Sequence, residues 1–468
     1  MDLREQAGVA LVEEHEGAVA DQRLRDALQE ANLPTLLLVL HRLTADERWL
    51  RAPYVPTPAP GLGDHDTGGL PESAQEQVRE AAFDAITAHR EGRLAPGPAP
   101  SPSEVARLLQ FALAEDVPEA YGELLSEELG TMPRDVDRPA APVPETFGAL
   151  VIGAGMAGIN IAVQLGQVGI SYTVLEKNDE VGGTWLENDY PGCGVDTPSH
   201  LYSFSFARRH DWQHYFARRE QLAEYFADLA DRYALRPNIQ FGTEVIRSVW
   251  NEAAALWEVD VRRADGRSET LTASILITGV GHFNRPKIPP IKGLDTFPGP
   301  CMHTARWNSD VEVAGRRVGV IGTGASAMQL VPALAGTASR VTVFARGRQW
   351  VIPHPNQGRE VSWESQHLLE HVPFYADWYR LRHFWRFGDR LHPALRVDPD
   401  WPEQDRSVSK VNDRHRRYLT RYIEEELAGR PDLVAASIPD YPPYARRPLI
   451  DHGWFRTLRR DDVSLVQD

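Results

Sequence analysis

The 468-residue sequence predicts an α/β protein in which two Rossmann-type dinucleotide-binding domains, the second interrupted by a helical insertion, follow an all-α N-terminal domain. Three observations carry that prediction. A strand, glycine turn and helix pattern begins at Gly148 and begins again at Arg317. The chain before Thr146 instead shows capped amphipathic helices separated by Pro/Gly-rich stretches. The net charge of −16 is also unevenly placed: residues 1–145 hold 27 Asp+Glu against 12 Arg and no Lys, whereas the 39 acids and 38 bases that follow nearly cancel. The expected division is 1–145, 146–300 and 301–468, with the insertion at about 360–430.

In the N-terminal part, Ser101-Pro102-Ser103-Glu104 supplies an N-cap, a proline at the first helical position and a capping-box Glu, followed by Val105, Leu108, Leu109, Ala112 and Leu113 at helical spacing. Ser73 and Glu76 stand in the same relation to Val78, Ala82 and Ile86. Thr57–Gly69, Ala95–Pro102 and Pro139–Pro144 read as loops. No catalytic constellation occurs here, so the segment is expected to be an accessory or assembly domain, with a homodimer among the assemblies it could serve. The acidic balance excludes a nucleic-acid partner. Leu36–Leu40 is far short of a membrane span, and the start of the chain, with Glu5, Glu13, Glu14 and Glu16, has no signal-peptide character; a cytoplasmic protein is expected.

The first nucleotide unit runs from the apolar strand Gly148–Ile152 into Gly153-Ala154-Gly155-Met156-Ala157-Gly158 and a helix through Leu165. Gly153 and Gly155 allow the tight turn and the close approach of backbone to a pyrophosphate, and Gly158 lets helix and strand pack. The next strand ends in Glu176, whose carboxylate can accept hydrogen bonds from a ribose diol; the unit reads as an FAD site, or an NAD site. The second unit runs from Arg317–Ile321 into Gly322-Thr323-Gly324-Ala325-Ser326-Ala327, and its second strand ends at Arg346. A guanidinium in place of the carboxylate favours a 2′-phosphate, hence NADP.

Two such sites on one chain indicate a flavin enzyme reduced by NADPH. Disulfide reductases share the layout but need a redox cysteine pair. Cys193 and Cys301 are solitary in sequence, too few also for a structural zinc site, and no metal is expected.

Between the units, Phe297, Gly299, His303 and Trp307 are spaced as in the FxGxxxHxxxW fingerprint, and this stretch resembles that of type I Baeyer-Villiger monooxygenases, with Asn308 where the family usually has Pro or Asp. Trp307 separates it from related N-hydroxylating and flavin-containing monooxygenases. Gly182-Gly183-Thr184-Trp185, Tyr190-Pro191-Gly192, Asp196 and Tyr202 resemble the family's flavin-covering stretch, with Asp189 in place of its usual Arg. Arg446-Arg447-Pro448-Leu449-Ile450-Asp451 and Arg460-Asp461-Asp462-Val463 resemble its KRPxxD and RDNV segments. The match begins at about Phe147, and the acidic extension is similar to that of the 4-hydroxyacetophenone monooxygenase branch.

The resemblance implies that NADPH reduces FAD, that O2 adds to the reduced flavin, and that the resulting peroxide attacks a ketone, an aryl ketone in this branch, to give an ester. It makes Arg447 the catalytic cation and Asp196 its orienting partner beside the nicotinamide and flavin. Gly183, Thr184, Trp185 and Tyr202 become flavin contacts, and Thr323, Ser326, Arg346 and Arg446 become NADP contacts. His303 and Trp307 fall on the hinge between the nucleotide domains. Against the family pattern the chain is expected to be C-terminally truncated. That opens the alternative of a non-catalytic nucleotide-binding remnant; separately, an N- or S-oxygenating enzyme would share the nucleotide motifs.

Overall fold

The computed structural model describes residues 19–59, 61–133, 142–144 and 146–467; Glu5, Glu13, Glu14, Glu16 and residues 139–141 of the third Pro-rich stretch lie outside them. The first nucleotide fold is a parallel sheet in the order β3 (Ile239–Gln240), β2 (Ser171–Leu175), β1 (Gly148–Ile152), β7 (Ile275–Thr278). The Met156–Val168 helix connects β1 to β2, and with the Arg219–Arg232 helix it encloses the main core around Val151, Ile159, Phe226 and Leu229. An antiparallel sheet, β4 (Thr243–Asn251), β5 (Leu256–Arg263) and β6 (Ser268–Ala273), forms a second core through Val259, Val261 and Ala273 on Leu150 and Leu175. β7 pairs in parallel with β1 at the edge of this sheet.

The second nucleotide fold pairs β8 (Arg317–Ile321), β9 (Arg340–Ala345) and β12 (Val463–Gln467) in the order β12–β9–β8, all parallel. One face is covered by the Ala325–Leu334 helix. On the other, Ile321, Phe344 and Val466 stand in register across the three strands and are exposed. A short pair, β10 (Val351–Ile352) with β11 (Leu449–Ile450), ties the chain before the insertion to the chain after it.

The N-terminal region is helical, as expected. The Pro102–Leu113 helix carries its capping box: the Glu104 carboxylate accepts from both the backbone N–H and the hydroxyl of Ser101, bonds that hold it below its ordinary range. The other predicted cap is corrected. That helix spans Glu72–Arg90 with Pro71 at the cap and no side-chain capping bond, so Ser73 lies inside its first turn. Proline at the cap presets φ, and its missing N–H costs nothing at a helix start.

The insertion contributes more than its own packing. Its Trp363–His371 and Tyr375–Phe387 helices share cores with the N-terminal domain: Leu368, Leu369, Val372 and Tyr375 with Leu33, Leu37 and Leu40, and Trp378, Leu381 and Trp385 with Val105, Leu109 and Leu125. Basic side chains of the same region meet the acids of the N-terminal region. Arg382 bonds both Asp64 oxygens (2.9 and 3.0 Å), Arg386 pairs with Asp64, Arg390 meets Glu115 (2.7 Å) and Arg380 meets Glu128 (3.7 Å). The charge asymmetry of the sequence thus has a structural partner in the insertion.

Candidate active site

The first glycine turn has the geometry that its motif predicts. Gly153 takes φ +96°, which a side chain would oppose, and its N–H donates to the Leu175 carbonyl at the end of β2. A Cβ on Gly158 would lie 1.8 Å from the Gly153 carbonyl oxygen, so no larger residue fits that approach of helix to strand. Glu176 is buried, accepting from the Ala154 and Asn178 backbone N–H groups (2.6 and 2.9 Å), which fixes its carboxylate beside the turn. Gly155 backs onto Gly183, where the Thr184–Glu187 helical turn starts. Trp185 is buried there and donates its indole N–H to the Tyr202 hydroxyl (3.1 Å), the rings meeting edge to face, while Thr184 is exposed. Burial raises the Tyr202 phenol above its ordinary range.

In the second unit Gly322 takes φ +107°, and open space lies where Cβ atoms on Gly322 and Gly324 would point. Thr323 donates its hydroxyl to the Gly347 carbonyl (2.8 Å), and Ser326 is half-buried in the first turn of the following helix. Arg346 is exposed immediately beyond β9. Arg446, also exposed, lies over the Tyr441 ring (4.7 Å) and close to Gly347, so both arginines border the same loop.

The two folds touch through the Tyr190–Gly192 turn. The Tyr190 hydroxyl donates to Gln329 Oε1 (2.7 Å), and the Gln329 amide donates to the Gly194 carbonyl (2.9 Å). Two residues further on, Asp196 receives two 2.9 Å hydrogen bonds from Nη2 of Arg447, one on each oxygen, although the residues are 251 positions apart. Arg447 is 75% exposed, so the pair adds little stability; what it fixes is the location of a cation.

Of the fingerprint, His303 accepts the Ala305 N–H on Nδ1 (3.1 Å) and so caps the Thr304–Arg306 turn; Trp307 packs against the main core; the Phe297 ring is exposed and folds over Gly299. Cys193 is buried, its thiol pushed up to about 11 by burial, and Cys301 is exposed; neither is paired.

Asp196 and Arg447 line a cavity of about 520 Å³. Its other walls are Ile352–Asn356, the Tyr379, His383, Arg386 and Phe387 face of the insertion helix, and residues 62–64 and 66 of the N-terminal domain. Sequence reasoning placed no site residue before Thr146. The available signal was Asp64-His65-Asp66 in a glycine-flanked loop, which by itself reads as a turn. Among the described residues, no group of three His, Cys, Asp or Glu is placed to hold a metal, and no helix is long and apolar enough to cross a membrane.

Fold and site together define an oxidoreductase with two dinucleotide-binding folds, and residues 150–374 match the pyridine nucleotide-disulphide oxidoreductase family. The chain is 42% identical to an uncharacterized monooxygenase of Sinorhizobium fredii, over 96% of this chain and 67% of the relative, and 37% identical to a Baeyer-Villiger monooxygenase of Streptomyces coelicolor, over 69% and 59%. It superposes on the open crystal structure of cyclohexanone monooxygenase with a TM-score of 0.57 at 30% identity, over 69% of this chain and 67% of that one. The chain belongs to the Baeyer-Villiger type of flavin monooxygenases. It spans 67% of the first relative's length and 59% of the second's.

Proposed function

We propose that this chain is an FAD-dependent, NADPH-reduced monooxygenase that places one oxygen atom of O2 beside a ketone carbonyl, forming an ester. The residues present fit both cofactors. The Gly153–Gly158 turn leaves no room for a side chain between helix and strand, and the Glu176 carboxylate, fixed beside that turn, would accept from a ribose diol. The Gly322–Gly324 turn has open space before it, with Arg346 and Arg446 on its border suited to a 2′-phosphate. When bound, the flavin and nicotinamide supply the reducing electrons and the activation of O2.

The observation that carries the reading is the Asp196–Arg447 pair on the wall of a cavity next to the contact between the two nucleotide folds. Carbonyl addition puts negative charge on the ketone oxygen, and a fixed guanidinium is the group to hold it there. Asp196 orients that guanidinium and keeps the local charge balanced. Tyr379, Phe387 and His354 put aromatic rings on the cavity wall, which favours an aryl ketone. Trp185 and Tyr202 would cover the flavin, and His303 and Trp307 would sit where the nucleotide folds move against each other.

Arg447→Ala tests the reading. The variant should still bind FAD and oxidise NADPH, but its ester yield from an aryl ketone should fall by about 10²–10³, the loss typical of one preorganised charge donor. Ester formation at the wild-type rate would overturn the role given to Arg447. Supplying an amine or a sulfide in place of the ketone distinguishes N- or S-oxygenation.

A further inference from the structure

The segment that carries both Asp196 and Tyr202 has no helix or strand of its own over residues 196–213, yet Ser199 and His200 within it are buried. Backbone carbonyls in such a segment must find donors elsewhere in the protein. Here they converge on one side chain of the insertion. Arg380, on the Tyr375–Phe387 helix, donates from Nη1 to the carbonyls of His200 (2.8 Å) and Leu201 (3.0 Å) and to the Ser203 hydroxyl (3.1 Å), and from Nη2 to the Ser203 carbonyl (3.0 Å). These three residues flank Tyr202, so a single guanidinium fixes the backbone on both sides of the ring that meets Trp185.

The guanidinium is itself held from the N-terminal domain. Glu128, near the end of the Gly122–Leu129 helix, forms an ion pair with Arg380 (3.7 Å) in which both side chains are buried. Further along the segment, Arg208 returns the contact: it donates to the Glu128 carbonyl and to the carboxylate of Asp377, one helical turn before Arg380. Two arginines, one on the segment and one on the insertion helix, thus tie the segment to the same pair of helices. The planar fork of an arginine suits several carbonyls that converge from one side, whereas a lysine offers a point charge without that fork. Neither Arg380 nor Arg208 lines the cavity, so any effect they have on the site runs through the segment.

We propose that Arg380 is a positioning residue for the flavin, acting through Tyr202, and that Glu128 makes the N-terminal domain a part of this arrangement and not only an assembly module. The inference rests on the flavin reading of the first nucleotide fold. The segment itself is read separately by limited trypsin digestion of the full chain, since Arg208 and Arg209 offer cleavage points once it opens. Arg380→Met should make that site the first to be cut, and should raise the Kd for FAD about tenfold while the Kd for NADP stays unchanged. Arg380→Lys keeps the charge beside Glu128 without the fork and should lose nearly as much; full recovery of FAD binding in this variant would reduce Arg380 to a counter-charge. Tyr202→Phe should weaken FAD binding by itself and add nothing when combined with Arg380→Met, because both changes act on one contact. Glu128→Gln, nearly the same in shape, should shift cleavage and the Kd for FAD less far in the same directions, and keeps the test open if Arg380→Met does not fold. Unchanged cleavage, a Kd for FAD that stays at the wild-type value in these variants, losses that multiply in the double variant, or equal losses for FAD and NADP would overturn the positioning role. Failure of the wild type to bind FAD would instead remove the flavin reading, whereas FAD bound with an affinity indifferent to Arg380 removes this inference alone.

Discussion

The nucleotide folds and the helical half of the molecule solve the problem of building a site in opposite ways. In the first fold, each group around the glycine turn lies within about thirty residues of the next, and a five-residue strand, a turn and one helix place Gly153, Gly155, Gly158 and Glu176 together. In the helical half, a loop near residue 64 and a helix near residue 382 meet across 318 positions to form one wall of the cavity. The first arrangement is specified by backbone constraints that act locally. The second is specified by two apolar cores and a cluster of buried arginines, and it exists only once both parts are folded.

The sharpest way to break the second arrangement is to remove the charge of Asp64. Arg382 and Arg386 are nearly fully buried, with 3% and 6% of their side chains exposed, and Asp64 is the carboxylate on which both converge. Asp64→Asn would leave two guanidinium groups without a counter-charge, and uncompensated buried charges of this kind typically cost about 3–5 kcal/mol. Urea unfolding at pH 7 should show a loss of that size. Burial alone would raise the Asp64 carboxyl, but Arg382 and Arg386 outweigh it and hold the group well below the usual carboxylate range. A depressed carboxylate contributes stability in full above its unfolded pKa of about 4, and loses it only as the pH falls through the lower folded value. The gap between wild type and Asp64→Asn should therefore persist almost undiminished at pH 4; a gap that has closed by then would show that the two arginines do not hold Asp64.

The same contrast explains what could be read from the sequence. The two glycine turns with their flanking strands, Glu176 and Arg346 were legible as short motifs, because a turn that needs φ near +100° or a backbone approach with no Cβ leaves glycine at fixed spacing. The Asp196–Arg447 pair was reached through resemblance; spacing says nothing about residues 251 apart. Asp64, Asp66, Tyr379 and His383 were missed as site residues. Asp64 and Asp66 read as loop acids, and Tyr379 and His383 fall in the helical insertion, whose neighbouring aromatics Tyr375, Trp378 and Trp385 lie in cores. The one local feature misjudged was the cap at Ser73, where Pro71 begins the helix earlier.

A smaller effect separates the two nucleotide turns from each other. The second turn carries Ala327 where the first has Gly158, and Ala327 is buried in the core without displacing its strand. At Gly158 the Gly153 carbonyl oxygen lies 1.8 Å from where a Cβ would be. Gly158→Ala should therefore push the Met156–Val168 helix off β1 at a cost of about 2 kcal/mol, the middle of the range for overpacking, and weaken FAD binding by more than tenfold while leaving NADPH binding intact. FAD retained at wild-type affinity after gel filtration would mean that the first turn is as roomy as the second.

The smallest effect expected is at Arg346, and it asks whether strand position alone identifies a cofactor contact. The side chain is exposed beyond the end of β9, so a phosphate bound there stays in contact with solvent, and a charge-assisted hydrogen bond at such a place is worth about 1.5 kcal/mol, the low end for bonds to charged groups. Arg346→Ala should thus raise the Kd for NADP about tenfold and leave the Kd for NAD unchanged, because only NADP carries the 2′-phosphate. Arg446 borders the same loop and supplies a second cation, so the preference should shrink in Arg346→Ala and be lost in the double variant. Equal losses for NADP and NAD would instead make Arg346 a contact to the shared pyrophosphate, and the strand-end rule that identified it in the sequence would then fail in this fold.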